Sequence, residues 1–177
     1  GFTQPIDVVV LLDDSGSMAT CWPWPRDGGQ PFYPPCGGRS PNPPSDPEEL
    51  RYSAARLLLQ LAGDDDRIAF VRFDSTAEGV GQLGALQPVG PLTARRTLAS
   101  SLTPPTDYLR RGYTRIDLGL QGAINLLNAA REPGRNQYVL LLTDGEPSGP
   151  EGFGRQGDAI RAQVNALREA GVLVFPV

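Results

Sequence analysis

Two short apolar runs constrain the fold more than any other feature of the sequence, because each stops abruptly at a cluster of polar residues. Residues 6–12 read IDVVVLL and are followed by DDSGSM, and residues 138–142 read YVLLL and are followed by TDG. A short continuous run rich in Val and Leu is typical of a strand that is covered on both faces in a parallel sheet. The polar clusters are therefore expected at the carboxyl ends of two buried strands.

The remaining regular segments alternate between strand and helix patterns. One helix is predicted to have Asp46 as its N-cap, Pro47 as its first residue and Glu49 in a capping box, with apolar residues at helical spacing up to Leu61. The other predictions are strands at 67–73 and 172–177, a short edge strand near 77–83, and helices at 91–102, 115–131 and 158–170. Alternation of this kind predicts an α/β fold, with a mostly parallel central sheet, one short antiparallel edge strand and helices on both faces.

Residues 19–45 differ in composition from the rest of the chain. Half of the 18 prolines lie between Pro23 and Pro47, and residues 21–36 hold both cysteines and both tryptophans. So many prolines exclude a regular helix or strand, and we interpret the stretch as an insertion into a single domain that covers residues 1–177. Its aromatic residues are expected to form either a small core of their own or a contact surface for a partner.

The two cysteines, Cys21 and Cys36, are too few to bind zinc alone. We predict that they form a disulfide, since the proline-rich stretch has no other evident core, and two free buried thiols are the alternative. In the chain-entropy description, closing a loop of about 15 residues contributes roughly 3 kcal/mol. A disulfide implies an oxidising compartment, so the protein is predicted to be extracytoplasmic, either secreted or on the cell surface.

The composition excludes several kinds of chemistry. The chain has no His, and all 16 of its basic residues are Arg, so it has no Lys either. It therefore cannot build a Ser-His-Asp or Cys-His pair, an HExxH zinc site, a lysine-containing phosphate loop or a Schiff base. A net charge of −4 with scattered Arg gives no basic surface for nucleic acid, and no apolar stretch is long enough to span a membrane. We expect a protein that is not an enzyme and that relies on oxygen ligands.

Oxygen-bearing side chains follow the two buried strands and a third polar segment. Asp13, Ser15 and Ser17 come at the end of the first strand, Asp144 follows the second, and Thr114 precedes a predicted helix. In open α/β sheets, ligands bind beyond the carboxyl ends of the strands, so these side chains are expected at one edge. Carboxylates and hydroxyls, completed by water, suit a six-coordinate Mg²⁺ or Mn²⁺, with Ca²⁺ as a further possibility. The alternative is that these are ordinary turn and capping residues.

These residues resemble the metal-ion-dependent adhesion site of von Willebrand factor type A domains of the bacterial type. The matches are Asp13, Ser15 and Ser17 for the family's DxSxS motif, Thr114 for its single threonine and Asp144 for its TDG segment. The sequences DDRIAFVRF, YTRIDLGL and AGVLVFPV follow in the family's order, so the similarity covers roughly residues 5–18 and 46–177. The resemblance implies a Rossmann-like three-layer sandwich.

The resemblance also implies a function and a role for each ligand. Ser15, Ser17 and Thr114 would contact the cation directly or nearly so, whereas Asp13 and Asp144 would act largely through water. An Asp or Glu side chain of a protein partner would take the sixth position, which implies a metal-dependent protein-binding or adhesion domain. The alternatives are an intracellular accessory domain of an AAA+ ATPase, of the chelatase or remodelling type, and a purely structural domain.

Two departures from the family pattern accompany the resemblance. The first helix of relatives begins soon after the DxSxS motif, whereas here about 27 residues intervene, and these must emerge on the metal face. The family sheet also normally continues with one more strand and a terminal helix. We therefore expect this chain to be truncated at its C-terminus.

Overall fold

A six-stranded sheet forms the centre of the computed structural model, which describes residues 4–19, 45–46, 48–75, 81–82, 85–105, 112–145, 147–148 and 153–177. The strands are β1 (Ile6–Asp13), β2 (Arg67–Phe73), β3 (Gly81–Gln82), β4 (Gln87–Pro88), β5 (Asn136–Leu142) and β6 (Leu173–Pro176). The helices are α1 (Gly16–Ala19), α2 (Leu50–Leu61), α3 (Leu92–Ser101), α4 (Ile116–Ala129) and α5 (Phe153–Glu169). Helices separate the parallel strands β1, β2, β5 and β6 along the chain, which confirms the predicted α/β class.

The sheet is mostly parallel, and its strand order reverses at β1. The order is β3-β2-β1-β5-β6, with β4 also pairing with β2. β1, β2, β5 and β6 run parallel, whereas β3 and β4 are antiparallel to β2. Asp13 pairs with Phe73 of β2, and Leu12 pairs with Leu142 of β5. The carboxyl ends of three neighbouring strands therefore meet at one edge of the sheet, on either side of the point where the order reverses.

Side chains of β1 alternate between two separate cores. Val9 and Leu11 pack on one face of the sheet with residues of α4 and α5. Val8, Val10 and Leu12 pack on the other face with residues of α2 and α3. All five side chains are buried, so the continuous apolar run reflects burial on both faces. This arrangement is the predicted three-layer sandwich.

Helix α4 lies directly against β2 because Gly119 has no side chain. A Cβ atom at this position would lie 2.8 Å from Cδ1 and 3.1 Å from Cγ of Phe73, whose ring is fully buried. The close approach fixes the first turn of α4 over the end of β2. It therefore also fixes Thr114, which lies just before that turn, at the carboxyl edge of the sheet.

The start of α2 differs from the prediction. The helix begins at Leu50, and its N-cap is Glu49, which adopts a left-handed conformation with φ of 56°. Asp46 is therefore not the N-cap, and the predicted capping box is wrong. Asp46 nevertheless stabilises the first turn of the helix, since its carboxylate accepts the N–H of Leu50 at 2.6 Å and that of Arg51 at 3.2 Å.

Two other boundaries differ, and part of the prediction is not tested. α5 begins at Phe153, five positions before the predicted start at residue 158, and the antiparallel edge comprises two short strands, β3 and β4. Residues 76–80 and 83–84, within or beside the predicted edge strand, lie outside the described residues, as do residues 20–44. The Cys21–Cys36 disulfide and the arrangement of the aromatic residues therefore stay predictions. Within the described ranges, no helix is both long and apolar enough to cross a membrane.

Candidate functional site

The carboxylate of Asp13 is buried at the point where β1 ends. The Ser15 N–H donates to its Oδ1 at 2.8 Å, and the Thr143 hydroxyl, from the end of β5, donates to its Oδ2 at 2.5 Å. Burial raises the pKa of Asp13 to about 6, against the hydrogen bonds from Ser15 and Thr143, and the charge of Asp144 adds to the rise. The site thus places the Asp13 carboxylate where its negative charge is costly and where a cation would offset it.

Three hydroxyl groups form a row that joins the other predicted residues. The Thr114 hydroxyl donates to Ser15 Oγ at 3.1 Å, and Ser15 Oγ lies 3.2 Å from Ser17 Oγ. At the other end of the row, the Ser17 hydroxyl donates to Asp144 Oδ1 at 3.4 Å. Because Ser17 donates its one proton to Asp144, it cannot also donate to Ser15. Within the row, Ser15 Oγ therefore accepts one hydrogen bond, from the Thr114 hydroxyl. Each hydroxyl oxygen therefore keeps at least one lone pair that can face a cation.

Thr114 is held from its backbone side by the loop that follows β5. Its N–H donates to Ser148 Oγ at 2.8 Å, and the Ser148 N–H donates to the Thr114 carbonyl at 3.0 Å. The side-chain amide of Gln156, in α5, donates in turn to the Ser148 carbonyl at 2.9 Å. Both Thr114 and Gln156 are buried. The position of the Thr114 hydroxyl therefore depends on a chain of contacts that reaches α5.

Asp14 points to the opposite face of the sheet and does not join the row. Arg51 Nη2 donates to its Oδ1 at 3.0 Å, the Tyr52 hydroxyl lies 2.9 Å from both carboxylate oxygens, and Arg72 Nε lies 3.8 Å from Oδ2. Burial raises the pKa of Asp14, and the charges of Arg51 and Arg72 and the bonds from Arg51 and Tyr52 oppose the rise. Asp14 therefore links the end of β1 to α2 and is not a candidate ligand.

The five predicted cation ligands all lie at one edge of the sheet, together with three side chains that were not predicted as part of the site. Thr143 bonds to Asp13, Ser148 bonds to the Thr114 backbone, and the Ser45 hydroxyl donates to Asp144 Oδ2 at 2.5 Å. The signal for Thr143 was its position at a strand end. No sequence pattern indicated Ser45 or Ser148, because each contacts a residue far away in sequence, 99 and 34 positions respectively.

The donor set matches the requirements of a hard divalent cation. It consists of the Asp13 and Asp144 carboxylates and three hydroxyls, all of them oxygen ligands. Among the described residues, no arginine pairs with Asp13 or Asp144, whereas Asp7 and Asp14 both have arginine partners. The same part of the chain contains no group of three or more His, Cys, Asp or Glu side chains that is placed to hold a metal ion. Mixed oxygen donors that leave room for water suit Mg²⁺ or Mn²⁺ rather than a soft metal.

Comparison with known sequences identifies one family. The family model described as the von Willebrand factor type A domain matches residues 38–177. The match therefore includes Thr114 and Asp144 but begins after the DxSxS sequence of residues 13–17. No curated protein matches the chain.

Several solved structures share the fold. The pilus adhesin SpaC from Lactobacillus rhamnosus GG has a TM-score of 0.65 at 17% identity, over 99% of this chain and 25% of that chain. Proximal thread matrix protein 1 from the mussel byssus has a TM-score of 0.63 at 18% identity, over 98% and 37%. A von Willebrand factor type A structure from Catenulispora acidiphila has a TM-score of 0.59 at 17% identity, over 98% and 39%. The chain thus spans less than half the length of each.

Proposed function

The chain belongs to the von Willebrand factor type A domain family, and on this premise we propose that it is a protein-binding domain rather than an enzyme. Its site would hold a divalent cation, Mg²⁺ in the first place, and would take an Asp or Glu side chain from a protein partner. The observation that carries the proposal is the row of hydroxyls from Thr114 to Asp144 beside the buried carboxylate of Asp13.

The charges of the site favour binding of an external carboxylate. Asp13 and Asp144 contribute two negative charges, which balance a divalent cation, while the three hydroxyl donors are neutral. A bound Mg²⁺ supplies a Lewis-acidic position for an incoming carboxylate. Because its direct ligands would be hydroxyls and water, the positive charge is not cancelled at close range.

The two ends of the hydroxyl row differ in exposure, and this gives the site a direction. Thr114 and Ser15 are buried, Ser17 is half-buried, and Asp144 is exposed. The buried end holds Asp13 and Thr114 in fixed positions through Thr143 and Ser148. A partner side chain would therefore approach from the exposed end, near Asp144.

An adhesive role outside the cytoplasm forms part of the proposal. Two proteins that share the fold are SpaC, a pilus adhesin, and GBS104 from Group B Streptococcus agalactiae, an adhesive tip pilin. The predicted Cys21–Cys36 disulfide would be consistent with an oxidising compartment of this kind. We therefore place the chain, in this proposal, in a secreted or cell-surface bacterial protein.

Calorimetric titration of the metal-stripped protein with Mg²⁺ tests the cation site. We expect one binding event per chain and an affinity at least about tenfold weaker for Asp144→Asn. Asp65→Asn is the matched control, because it removes the same charge from an exposed turn. Absence of binding by the wild type, or equal affinities for the two variants, would reject the cation site.

Nuclear magnetic resonance tests the carboxylate partner separately. The probe is an aspartate blocked at both termini, with blocked asparagine as its neutral match. We expect the amide resonances of Ser15, Ser17 and Thr114 to shift with blocked aspartate in Mg²⁺, and neither with blocked asparagine nor in EDTA. Equal shifts with the two probes, or shifts that persist in EDTA, would contradict carboxylate binding through the cation.

A further inference from the structure

The chain returns from the proline-rich stretch directly beside the candidate site. The Ser45 N–H donates to the Ser17 carbonyl at 3.1 Å, and the Asp46 N–H donates to the Met18 carbonyl at 3.0 Å. These two bonds pair the returning chain with α1, which follows the end of β1. The point at which the insertion rejoins the fold is therefore part of the carboxyl edge of the sheet.

The returning corner is anchored to the protein interior. Asp46 is buried, and its carboxylate accepts not only the first N–H groups of α2 but also Arg51 Nη1 at 2.7 Å. Arg51 is itself buried, and its Nη2 donates to Asp14 at 3.0 Å. The guanidinium thus bridges Asp46 to the end of β1, so Ser45 is attached to a fixed corner.

The side chain of Ser45 reaches the site itself. Its hydroxyl donates to Asp144 Oδ2 at 2.5 Å, while the Ser17 hydroxyl donates to Oδ1 of the same carboxylate at 3.4 Å. The two hydroxyls come from segments that are also joined by the Ser45–Ser17 backbone bond. With each oxygen held by a different hydroxyl, the exposed carboxylate of Asp144 is held in one orientation.

We propose that Ser45 is a positioning residue of the cation site, an inference that rests on the function proposed above. Ser45 acts through Asp144: by holding Oδ2, it keeps Oδ1 turned toward the hydroxyl row. Partners of this kind, which orient a metal ligand through a hydrogen bond, commonly affect metal affinity about tenfold or more. Ser45 is the last residue of the insertion, so the insertion contributes one of the hydrogen bonds that orient the site.

Calorimetric Mg²⁺ affinities of three variants test this proposal. Ser45→Ala removes the hydroxyl and is expected to weaken binding about tenfold, whereas Ser45→Thr keeps a hydroxyl and is expected to stay within about threefold of the wild type. Ser53→Ala is the matched control, since Ser53 is exposed on α2. Thermal unfolding in EDTA is expected to give Ser45→Ala the same midpoint as the wild type, which separates positioning from stability.

The outcomes distinguish this inference from the proposed function. Equal Mg²⁺ affinities for Ser45→Ala and Ser53→Ala overturn the role of Ser45 and leave the cation site intact. A loss of affinity that Ser45→Thr does not rescue, together with a lower midpoint in EDTA, also overturns it, because the residue is then merely structural. No binding by the wild type overturns the cation site and this inference together.

Discussion

Thr114 and Ser148 exchange two hydrogen bonds of opposite direction, 2.8 Å from the Thr114 N–H to Ser148 Oγ and 3.0 Å from the Ser148 N–H to the Thr114 carbonyl. The first residue precedes α4 and the second lies in the loop after β5. The pair therefore joins the segment that supplies the Thr114 hydroxyl to the loop that carries Asp144. Contacts between loops therefore set the geometry of the candidate site together with those inside the segment from Asp13 to Ser17.

Ser148→Ala tests this relationship. It removes the acceptor of the Thr114 N–H, and leaving a buried donor without its partner costs about 1–2 kcal/mol of unfolding free energy. We also expect Mg²⁺ affinity to fall about threefold to tenfold, because the Thr114 hydroxyl loses its support. Urea denaturation and calorimetry measure the two effects, with Ser53→Ala as the control. An unchanged affinity would show that Ser148 does not support the site.

A pair of glycine substitutions tests the contact between α4 and β2. Gly119→Ala places a methyl group 2.8 Å from a buried ring carbon of Phe73, and overpacking of this kind costs about 2 kcal/mol. Gly157→Ala is the matched control within a helix, because nothing lies within 4 Å of the added Cβ in α5. The free energy of unfolding of Gly157→Ala should rise by about 1 kcal/mol, because Ala has a higher helix propensity than Gly. Urea denaturation that gave both variants the same stability would contradict the close approach.

The fold could be predicted well where local pattern and burial agree. The apolar runs at 6–12 and 138–142 mark β1 and β5, since both faces of these strands are covered. The predicted start of α2 was wrong because the sequence pattern suggested Asp46 as the N-cap, whereas the Asp46 carboxylate also forms an ion pair with Arg51. That buried pair, and the left-handed conformation of Glu49, depend on tertiary contacts that no local pattern contains.

For the candidate site, the sequence could predict which side chains lie close together but not which residues hold them in place. Asp13 and Asp144 follow apolar strands, and the parallel topology brings strand ends together, so their proximity follows from pattern and topology. The residues that orient these ligands are different. Ser45 reaches Asp144 through the return point of an insertion, and Ser148 reaches Thr114 from another loop. Such pairs depend on loop conformations that composition and spacing do not determine.

Tyr52→Phe tests the buried network on the other face of the sheet. The Tyr52 hydroxyl lies 2.9 Å from both oxygens of Asp14, and the ring is fully buried. Burial and the charge of Asp14 raise the pKa of Tyr52, so the hydroxyl stays a donor. Removing a hydrogen bond to a charged group while keeping the ring should cost about 2 kcal/mol. Chemical denaturation measures this, and Tyr113→Phe, at an exposed position, should change stability by less than about 0.5 kcal/mol.

A second buried carboxylate, Asp7, predicts how stability depends on pH. Arg67 donates to its Oδ1 at 2.8 Å and to its Oδ2 at 2.7 Å, and Arg135 donates to Oδ1 at 2.7 Å. Burial raises the pKa of Asp7, but the hydrogen bonds and charges of the two arginines outweigh it and lower the pKa below its ordinary value. The ionised form is thus favoured more in the folded protein than in the unfolded chain.

Asp7→Asn should therefore change the acid side of the stability profile. A carboxyl whose pKa is lower in the folded state stabilises the fold above its unfolded pKa, near 3.9, and this contribution is lost as the pH falls through the folded value. Because Asp7→Asn leaves two arginines beside a buried neutral side chain, it should cost about 3 kcal/mol at pH 7. The difference from wild type should hold down to about pH 5 and shrink below about pH 4. Urea denaturation between pH 7 and pH 3 measures it, with the exposed Asp65→Asn as control, and a difference that stayed constant over that range would contradict the assignment to Asp7.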